Sequence, residues 1–153
     1  MADEDTVFFD ESILLSFPLM HRLLHVAYDG EQKNLTKTQF IILISLYLYG
    51  ELPMMELSKL SGITKEQATR ALSPLAENGL VTRSISESNR NYVYVHLSPH
   101  GKARVRAMFQ RCSKRLDSLA EVRLTPEELK ELGQHMTALR LLLNKITNKS
   151  CPV

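Results

Sequence analysis

The chain has 153 residues, of which 44% are apolar and 24% are charged, so it is long enough to bury the core of one ordinary domain over residues 1–153. Two cysteines without a CxxC spacing exclude a disulfide-stapled fold and favour a reducing, cytoplasmic location. The acidic start, MADEDTVFFDES, lacks the features of a signal peptide. The longest apolar run, Phe40 to Tyr49, has about half the length that a membrane-spanning helix needs.

The formal net charge of +2 conceals an uneven distribution along the chain. Residues 1–58 carry three Lys/Arg against nine Asp/Glu, residues 59–115 carry eleven against three, and residues 116–153 carry five of each. A basic middle segment is suited to binding a polyanion, and nucleic acid is the leading candidate. On charge alone, a basic surface that only meets water is the alternative.

Capping chemistry marks four helix starts. Three of them have a threonine followed three residues later by Gln or Glu, the spacing of a capping box: Thr36 with Gln39, Thr64 with Gln67, and Thr125 with Glu128. At the fourth, Ser98 is the cap and Pro99 the favoured first helical residue. Each pattern predicts a helix directly behind its cap.

Together with apolar residues at helical spacing, these starts predict six helices, over about residues 9–29, 37–49, 54–60, 65–78, 99–120 and 126–147. Pro18 is a possible kink in the first helix. Cys112 lies on the apolar seam of the fifth and is expected to be packed as a small hydrophobic residue. The apolar stripe of the sixth is expected to face inward and comprises Leu129, Leu132, Met136, Leu139, Leu143 and Ile146.

One segment has the two-residue period of a strand instead. In YVYVHL, which starts at Tyr92, Val93, Val95 and Leu97 alternate with polar or aromatic residues. The stretch LVTRSI, residues 80–85, is its natural antiparallel partner, and SESNRN between them is a polar tip. The pattern predicts a β-hairpin behind the fourth helix.

The third and fourth predicted helices are joined by the tight turn Ser61-Gly62-Ile63, in which Gly62 supplies a positive φ. The fourth helix opens with polar residues that can reach base edges in a major groove. Helix, turn, helix and hairpin together predict a winged helix-turn-helix. The alternative is a helical hairpin whose polar face simply meets water, but the hairpin and the basic segment favour DNA binding.

The order LTKTQFIILISL, then MMELSKLSGITKEQATRALSPLAENGLVTRS, then NRNYVYVHLSPHG and two long helices resembles the MarR (multiple-antibiotic-resistance regulator) family of bacterial transcription factors. The resemblance covers about residues 14–146. It implies a mainly α fold with a small β-hairpin wing, in which about residues 33–98 form a DNA-binding lobe and about 9–29 and 99–147 form dimerisation helices. It also implies a homodimer that reads a pseudopalindromic operator.

The resemblance implies which positions contact DNA. The recognition helix contributes Thr64, Lys65, Glu66, Gln67, Thr69, Arg70 and Ser73, and Thr38 at the start of the second helix is added. Where the family commonly has Asp-Arg-Arg in the wing, this chain has Asn89-Arg90-Asn91, so Arg90 is the best candidate for a minor-groove or phosphate contact, with Arg83 supporting it. Pro74 departs from the usual polar residue and is expected to kink or loosen the helix.

Other site chemistry has weaker support in the sequence. Relatives in this family often bind a small aromatic or amphipathic effector, and His21, Arg22 and His25 are candidate contacts, although ordinary helix residues are the simpler interpretation. His21 and His25 alone do not make a metal site. No glycine-rich phosphate loop, GxSxG or HExxH motif is present, so neither an enzyme nor a cofactor is expected.

The sequence therefore predicts a DNA-binding transcription regulator, acting as a ligand-responsive repressor and a homodimer. The alternative is a winged-helix protein-interaction module that does not bind DNA, motivated by Pro74 and the altered wing tip.

Overall fold

The computed structural model describes residues 9–29, 31, 34–85 and 92–147. Within them the elements, in chain order, are α1 (Phe9–Asp29), α2 (Lys37–Tyr49), β1 (Leu52–Pro53), α3 (Met54–Leu60), α4 (Lys65–Glu77), β2 (Val81–Ile85), β3 (Val93–Leu97), α5 (Pro99–Glu121) and α6 (Pro126–Thr147). All six predicted helices and both predicted strands are present, so the predicted fold class is confirmed. Within this described part, no helix is both long and apolar enough to span a bilayer.

Side-chain caps begin the helices as the sequence predicted. At α2, Gln39 N donates to Thr36 Oγ1 at 3.2 Å and Thr36 N donates back to Gln39 Oε1 at 2.8 Å. Thr125 and Glu128 form the same reciprocal pair at α6. At α5, Gly101 N donates to Ser98 Oγ at 2.9 Å. These bonds satisfy N–H groups that have no partner inside the helix.

The sheet is antiparallel and has the strand order β1-β3-β2. Arg83 pairs with Val95 on one side of β3, and Leu52 pairs with the same residue on the other. The sequence did not predict β1, because two residues are too few to show a two-residue period. Pro53 has no N–H to donate, and an edge strand is where a sheet tolerates it.

The chain divides into two compact units, Met1–Ser113 and Lys114–Val153. The core of the first unit is formed by α2, α3, α4, β3 and the first half of α5. Its fully buried side chains, each at most 2% exposed, include Ile42, Leu43, Leu46, Leu57, Leu72, Leu75, Val95, Val105 and Met108. In the second unit, Leu129, Leu139 and Leu143 of α6 are half-buried.

The prediction that the apolar stripe of α6 faces inward is partly wrong for the single chain. Leu132, Met136 and Ile146 are 46%, 37% and 55% exposed. On α1, Leu14 and Phe17 are 72% and 67% exposed. A helical period identifies an apolar face but does not determine what covers it.

A buried ion pair ties the end of α1 to α5 within the first unit. The Glu31 carboxylate is 1% exposed and accepts hydrogen bonds from Arg111 Nε at 2.8 Å and Nη2 at 2.9 Å. The hydrogen bond to Glu31 is the main reason why the pKa of Arg111 is raised. Cys112 beside it is buried, as predicted, and its Sγ contacts the Ala27 carbonyl oxygen at 3.3 Å. Sequence reasoning missed this pair, because its partners are 80 residues apart.

The start of α5 packs directly on the backbone at the start of β2. A Cβ placed on Gly101 would lie 1.9 Å from the Leu80 carbonyl oxygen. The same oxygen accepts a hydrogen bond from Ser98 N at 3.0 Å, and the Ser98 hydroxyl donates to the neighbouring Gly79 carbonyl oxygen at 2.6 Å. Gly101 is therefore needed for close approach, and its neighbour is backbone that cannot rotate away.

We expect Gly101→Ala to lower the free energy of unfolding by about 1 to 3 kcal/mol, the usual cost of overpacking a well-filled site. Lys102→Ala, at the adjacent exposed position, is the matched control and should change it by less than about 0.5 kcal/mol. Urea denaturation at one fixed protein concentration measures both. Equal stability of the two variants would contradict the close packing of α5 on Leu80.

Candidate nucleic-acid interface

The turn between α3 and α4 is closed by a defined set of backbone hydrogen bonds. Ile63 N donates to Ser58 O at 3.0 Å and Gly62 N donates to Lys59 O at 3.1 Å, the pattern of a Schellman motif. Gly62 has φ of +63°, as the sequence predicted. Ser61 Oγ lies 3.2 Å from Ser45 Oγ, which attaches the turn to α2. The turn thus holds α4 at a fixed angle to α3.

One face of α4 belongs to the core and the other is exposed. Ala68 and Leu72 are 0% exposed and Leu75 is 1% exposed. The opposite face starts at the N-terminus of the helix, and its exposed residues are Thr64, Lys65, Glu66, Gln67, Thr69 and Arg70. Ser73 lies one turn further on and is half-buried. The structure therefore brings all seven predicted residues of the recognition helix to one continuous surface, which we call the reading face.

A capping box occupies part of the reading face. Thr64 Oγ1 accepts a hydrogen bond from Gln67 N at 3.2 Å, and Gln67 Oε1 accepts one from Thr64 N at 2.9 Å. The oxygen of the Gln67 amide is thus engaged by the helix itself. The amide NH2 group of Gln67 remains available to a base edge, together with the second lone pair of its oxygen.

Arg83 on β2 is held against the reading face. Its Nη2 donates to Ser73 Oγ at 3.3 Å, and Ser73 Oγ donates to the Thr69 carbonyl oxygen at 3.1 Å. Thr69 Oγ1 in turn donates to the Lys65 carbonyl oxygen at 2.9 Å. This chain of bonds connects the base of the hairpin to α4 and orients the Arg83 guanidinium along the same surface.

Glu66 places a negative charge in the middle of the reading face. A hydrogen bond from its own backbone N–H, and then one from the Thr64 hydroxyl, hold the pKa of the Glu66 carboxyl below its usual value. The positive charges of Lys65 and Arg70 lower the pKa further. The ionised carboxylate can only accept hydrogen bonds, so it fits a cytosine amino group and repels phosphate.

A groove of about 690 Å³ runs between the start of α4 and the base of the hairpin. It is lined by Pro53, Met54, Met55, Lys65, Thr69, Arg83, Ile85, Tyr92 and Val93. Met55 and Ile85 are 55% and 65% exposed, whereas Lys65 and Arg83 add positive charge. A surface that combines cations with exposed apolar atoms can contact phosphates and thymine methyl groups. The sequence did not single out Met55, Ile85 or Tyr92.

Other predicted DNA contacts are placed differently. Asn89, Arg90 and Asn91 lie outside the described residues. Thr38 is half-buried in the first turn of α2. We expected Pro74 to kink or loosen α4. The loosening is wrong, because the helix continues to Glu77, whereas the kink stays a prediction. Beyond Pro74 the last turn is closed by Asn78 N donating to Pro74 O and Leu80 N donating to Leu75 O, at 3.0 and 2.9 Å.

The candidate effector residues lie on the exposed surface of α1. Lys37 Nζ is 3.1 Å from His21 Nε2, and His25 Nδ1 is 3.1 Å from Asp29 Oδ1. Arg22 is also exposed. Among the described residues, no group of three or more His, Cys, Asp or Glu side chains could hold a metal ion.

The helix-turn-helix of α3 and α4, followed by the β2–β3 hairpin, defines the class as a winged helix-turn-helix protein. The sequence profile of the MarR family matches residues 35–92, from the end of the α1–α2 connection into the hairpin. This segment of the chain is therefore similar to the MarR family.

Three similar proteins of Bacillus subtilis (strain 168) are each named as an HTH-type transcriptional regulator. YfiV is 26% identical over 145 residues, covering 88% of this chain and 90% of YfiV. YwhA is 28% identical over 98 residues, covering 64% of this chain and 70% of YwhA. YwaE is 29% identical over 76 residues, which are half of this chain and 44% of YwaE. These names agree with the expectation of a regulator rather than an enzyme.

Solved structures show the same fold. A mutant of MarR from E. coli superposes with a TM-score of 0.69 at 22% identity, covering 87% of this chain and 96% of that one. NadR in complex with 4-hydroxyphenylacetate superposes with a TM-score of 0.64 at 23% identity, covering 88% and 99% of the two chains.

The capping box of α4 can be tested by stability alone. Thr64→Ala removes the hydroxyl that accepts from Gln67 N and should lower the free energy of unfolding by about 0.5 to 2 kcal/mol. Thr64→Ser keeps a hydroxyl at the same place and should restore most of the loss. The measurement is denaturant unfolding followed by circular dichroism. An alanine variant as stable as the serine variant would show that the cap is not formed in solution.

Proposed function

We propose that the protein is a sequence-specific DNA-binding transcription regulator that acts in the bacterial cytoplasm. The observation that carries the proposal is the reading face: an exposed, polar helix N-terminus in the chain segment where Lys and Arg outnumber Asp and Glu by eleven to three. A helix placed in this way can enter a major groove, while the surrounding cations neutralise phosphates. The names of the B. subtilis relatives support the same function.

Within this proposal the residues have distinct roles. Arg70 is exposed on the reading face and reads a base, and Lys65 contacts the phosphate backbone. Arg83, held by Ser73, contacts the flanking backbone at the base of the hairpin. Asn89, Arg90, Asn91 and Thr38 are proposed as further contacts on the resemblance to the family.

We expect Arg70→Ala to weaken binding to the preferred operator by about 1 to 3 kcal/mol and to relax base preference at the contacted position. Fluorescence anisotropy with the operator and with a scrambled duplex measures the effect. Arg123→Ala removes an exposed cation in the α5–α6 turn and serves as the control. An equal loss on both duplexes would mean that Arg70 contacts the backbone and reads no base.

Salt dependence separates the regulator from the alternative function, a winged-helix module that binds only protein. A DNA complex should weaken steeply between two salt concentrations, because binding releases counterions from the phosphates. Failure to form any complex at low salt would favour the interaction module.

We further propose that the regulator is a homodimer, held by the long helices at both ends of the chain. The support is the exposed apolar surface of α1 and α6, where Leu14, Phe17, Leu142 and Ile146 are each more than half exposed. Scattered apolar residues are ordinary on a surface, but a stripe along a whole helix is typical of an association face. Two lobes related by a two-fold axis would match a pseudopalindromic operator.

The double variant Leu14→Glu and Phe17→Glu should convert the dimer to the 17.4 kDa monomer in light scattering, because dimerisation would bury both charges. Lys102→Glu changes the net charge by the same amount at an exposed site of α5 and should remain dimeric. A wild-type chain that is already monomeric would disprove the dimer proposal.

We also propose that the regulator is a repressor released by a small aromatic or amphipathic effector. The support is that NadR, which shares the fold, was solved with 4-hydroxyphenylacetate. His21, Arg22 and His25 are the proposed effector contacts, since they are exposed on α1 and carry hydrogen-bond donors.

A further inference from the structure

A second cavity lies within the first unit, at the C-terminal end of α4, where the starts of α2 and α5 approach it. Its volume is about 310 Å³, at the lower end of the range for small-molecule sites. The apolar part of its lining is formed by Leu35, Leu75 and Leu80, all buried. It lies at the other end of α4 from the reading face, and neither the reading face nor the groove beside the hairpin contributes a residue to it.

The polar part of the lining contains hydrogen-bonding groups that the fold does not use. Asn34, Asn78, His100 and Arg104 line the cavity. Within the described residues, the side chains of Asn34, Asn78 and His100 form no hydrogen bond with the protein. Gln39 differs, because its Oε1 accepts from Thr36 N and its Nε2 donates to the Ala71 carbonyl oxygen. Asn34, Asn78 and His100 are exposed, so three separate segments place amide and imidazole groups at the solvent-facing rim of the cavity.

Arg104 gives the cavity its charge. Its side chain is 29% exposed, and its nearest anion is Glu31, with 3.9 Å between Arg104 Nη2 and Glu31 Oε2. That carboxylate already accepts two hydrogen bonds from Arg111, at 2.8 and 2.9 Å. At 3.9 Å the contact of Arg104 with Glu31 is longer than a hydrogen bond, so its guanidinium keeps N–H groups for a further acceptor. A half-buried guanidinium gains most from an oxyanion that accepts two of its N–H groups.

We propose that this cavity binds a small solute through an oxyanion, either a carboxylate or a phosphate, held by Arg104. The amides of Asn34 and Asn78 and the ring of His100 supply further hydrogen bonds. The buried leucines that line the cavity contact the body of the solute. This inference concerns a site separate from the reading face and does not depend on DNA binding.

The test is titration of the full chain, without DNA, with inorganic phosphate and separately with succinate, at constant ionic strength. Backbone amide chemical shifts in NMR spectra report the site and the affinity. Saturable shifts at residues around the cavity are expected with at least one probe, and the probe that binds identifies phosphate or carboxylate as the preferred group. Absence of saturable shifts with both probes at millimolar concentration would overturn the proposal.

Two variants and a control test the assignment. Arg104→Gln should weaken the affinity for the bound probe by about tenfold or more, as expected for loss of a charged hydrogen-bond pair. Arg106→Gln removes an exposed cation two residues further along α5 and should leave the affinity unchanged. Asn34→Asp adds a negative charge at the rim without changing shape and should also weaken binding, which tests the site even where Arg104→Gln perturbs folding. Equal affinity in Arg104→Gln and Arg106→Gln, or unchanged affinity in Asn34→Asp, would contradict the site.

Discussion

Burial of the inner face of α4 is the constraint on which the candidate interface depends. Ala68 and Leu72 are fully buried, and Leu57 of α3 is buried as completely. Because successive residues of a helix are rotated by a fixed angle, fixing these positions inward forces Glu66, Thr69 and Arg70 outward. The small side chain of Ala68 contributes to this arrangement, since it lets neighbouring elements pack close to the helix axis. The chemistry of the reading face is thus set by packing on its opposite side.

Two local motifs satisfy the backbone hydrogen-bonding groups at the end of α3 and the start of α4. The Schellman motif at Gly62 satisfies carbonyls at the end of α3, and the capping box of Thr64 and Gln67 satisfies N–H groups at the start of α4. These two motifs are adjacent, within a turn of four residues, 61–64. They allow a tight turn at the surface without buried, unpaired polar groups. The same capping box uses the side-chain oxygen of Gln67 as an acceptor. This side chain therefore contributes both to the stability of α4 and to the surface proposed to contact DNA.

The buried carboxylate of Glu31 also constrains packing within the first unit. A carboxylate that is 1% exposed would be strongly unfavourable alone, and Arg111 makes it acceptable by donating two hydrogen bonds. Replacing either partner would leave a buried charge, so the pair specifies how the end of α1 meets α5. Arg104 joins the cluster at a longer distance and retains donors for another acceptor. The guanidinium that lines the second cavity is therefore positioned beside a carboxylate whose closest cation is Arg111.

Local chemistry in the sequence was sufficient to predict the helices, the hairpin and the exposure of the N-terminal half of α4. The reason is that caps, turn glycines and periodicity act over a few residues. It also placed Thr64, Thr69 and Arg70 on one face. It could not find β1, which has two residues, nor the contribution of Met55, Ile85 and Tyr92 to the groove, because that depends on a hairpin folding back beside α4. It was wrong that α4 would loosen at Pro74, since burial of Leu75 and the closed last turn hold the helix beyond the proline.

What the sequence by itself determined is the set of elements and the polar character of the α4 start, because both follow from interactions between near neighbours. Only the tertiary structure decided which apolar stripes are covered, that Glu31 is buried against Arg111, and that Arg104, Asn34, Asn78 and His100 meet around one cavity. The reason is that these are long-range contacts. Each joins residues from separate elements, and their distances are fixed by packing rather than by spacing along the chain.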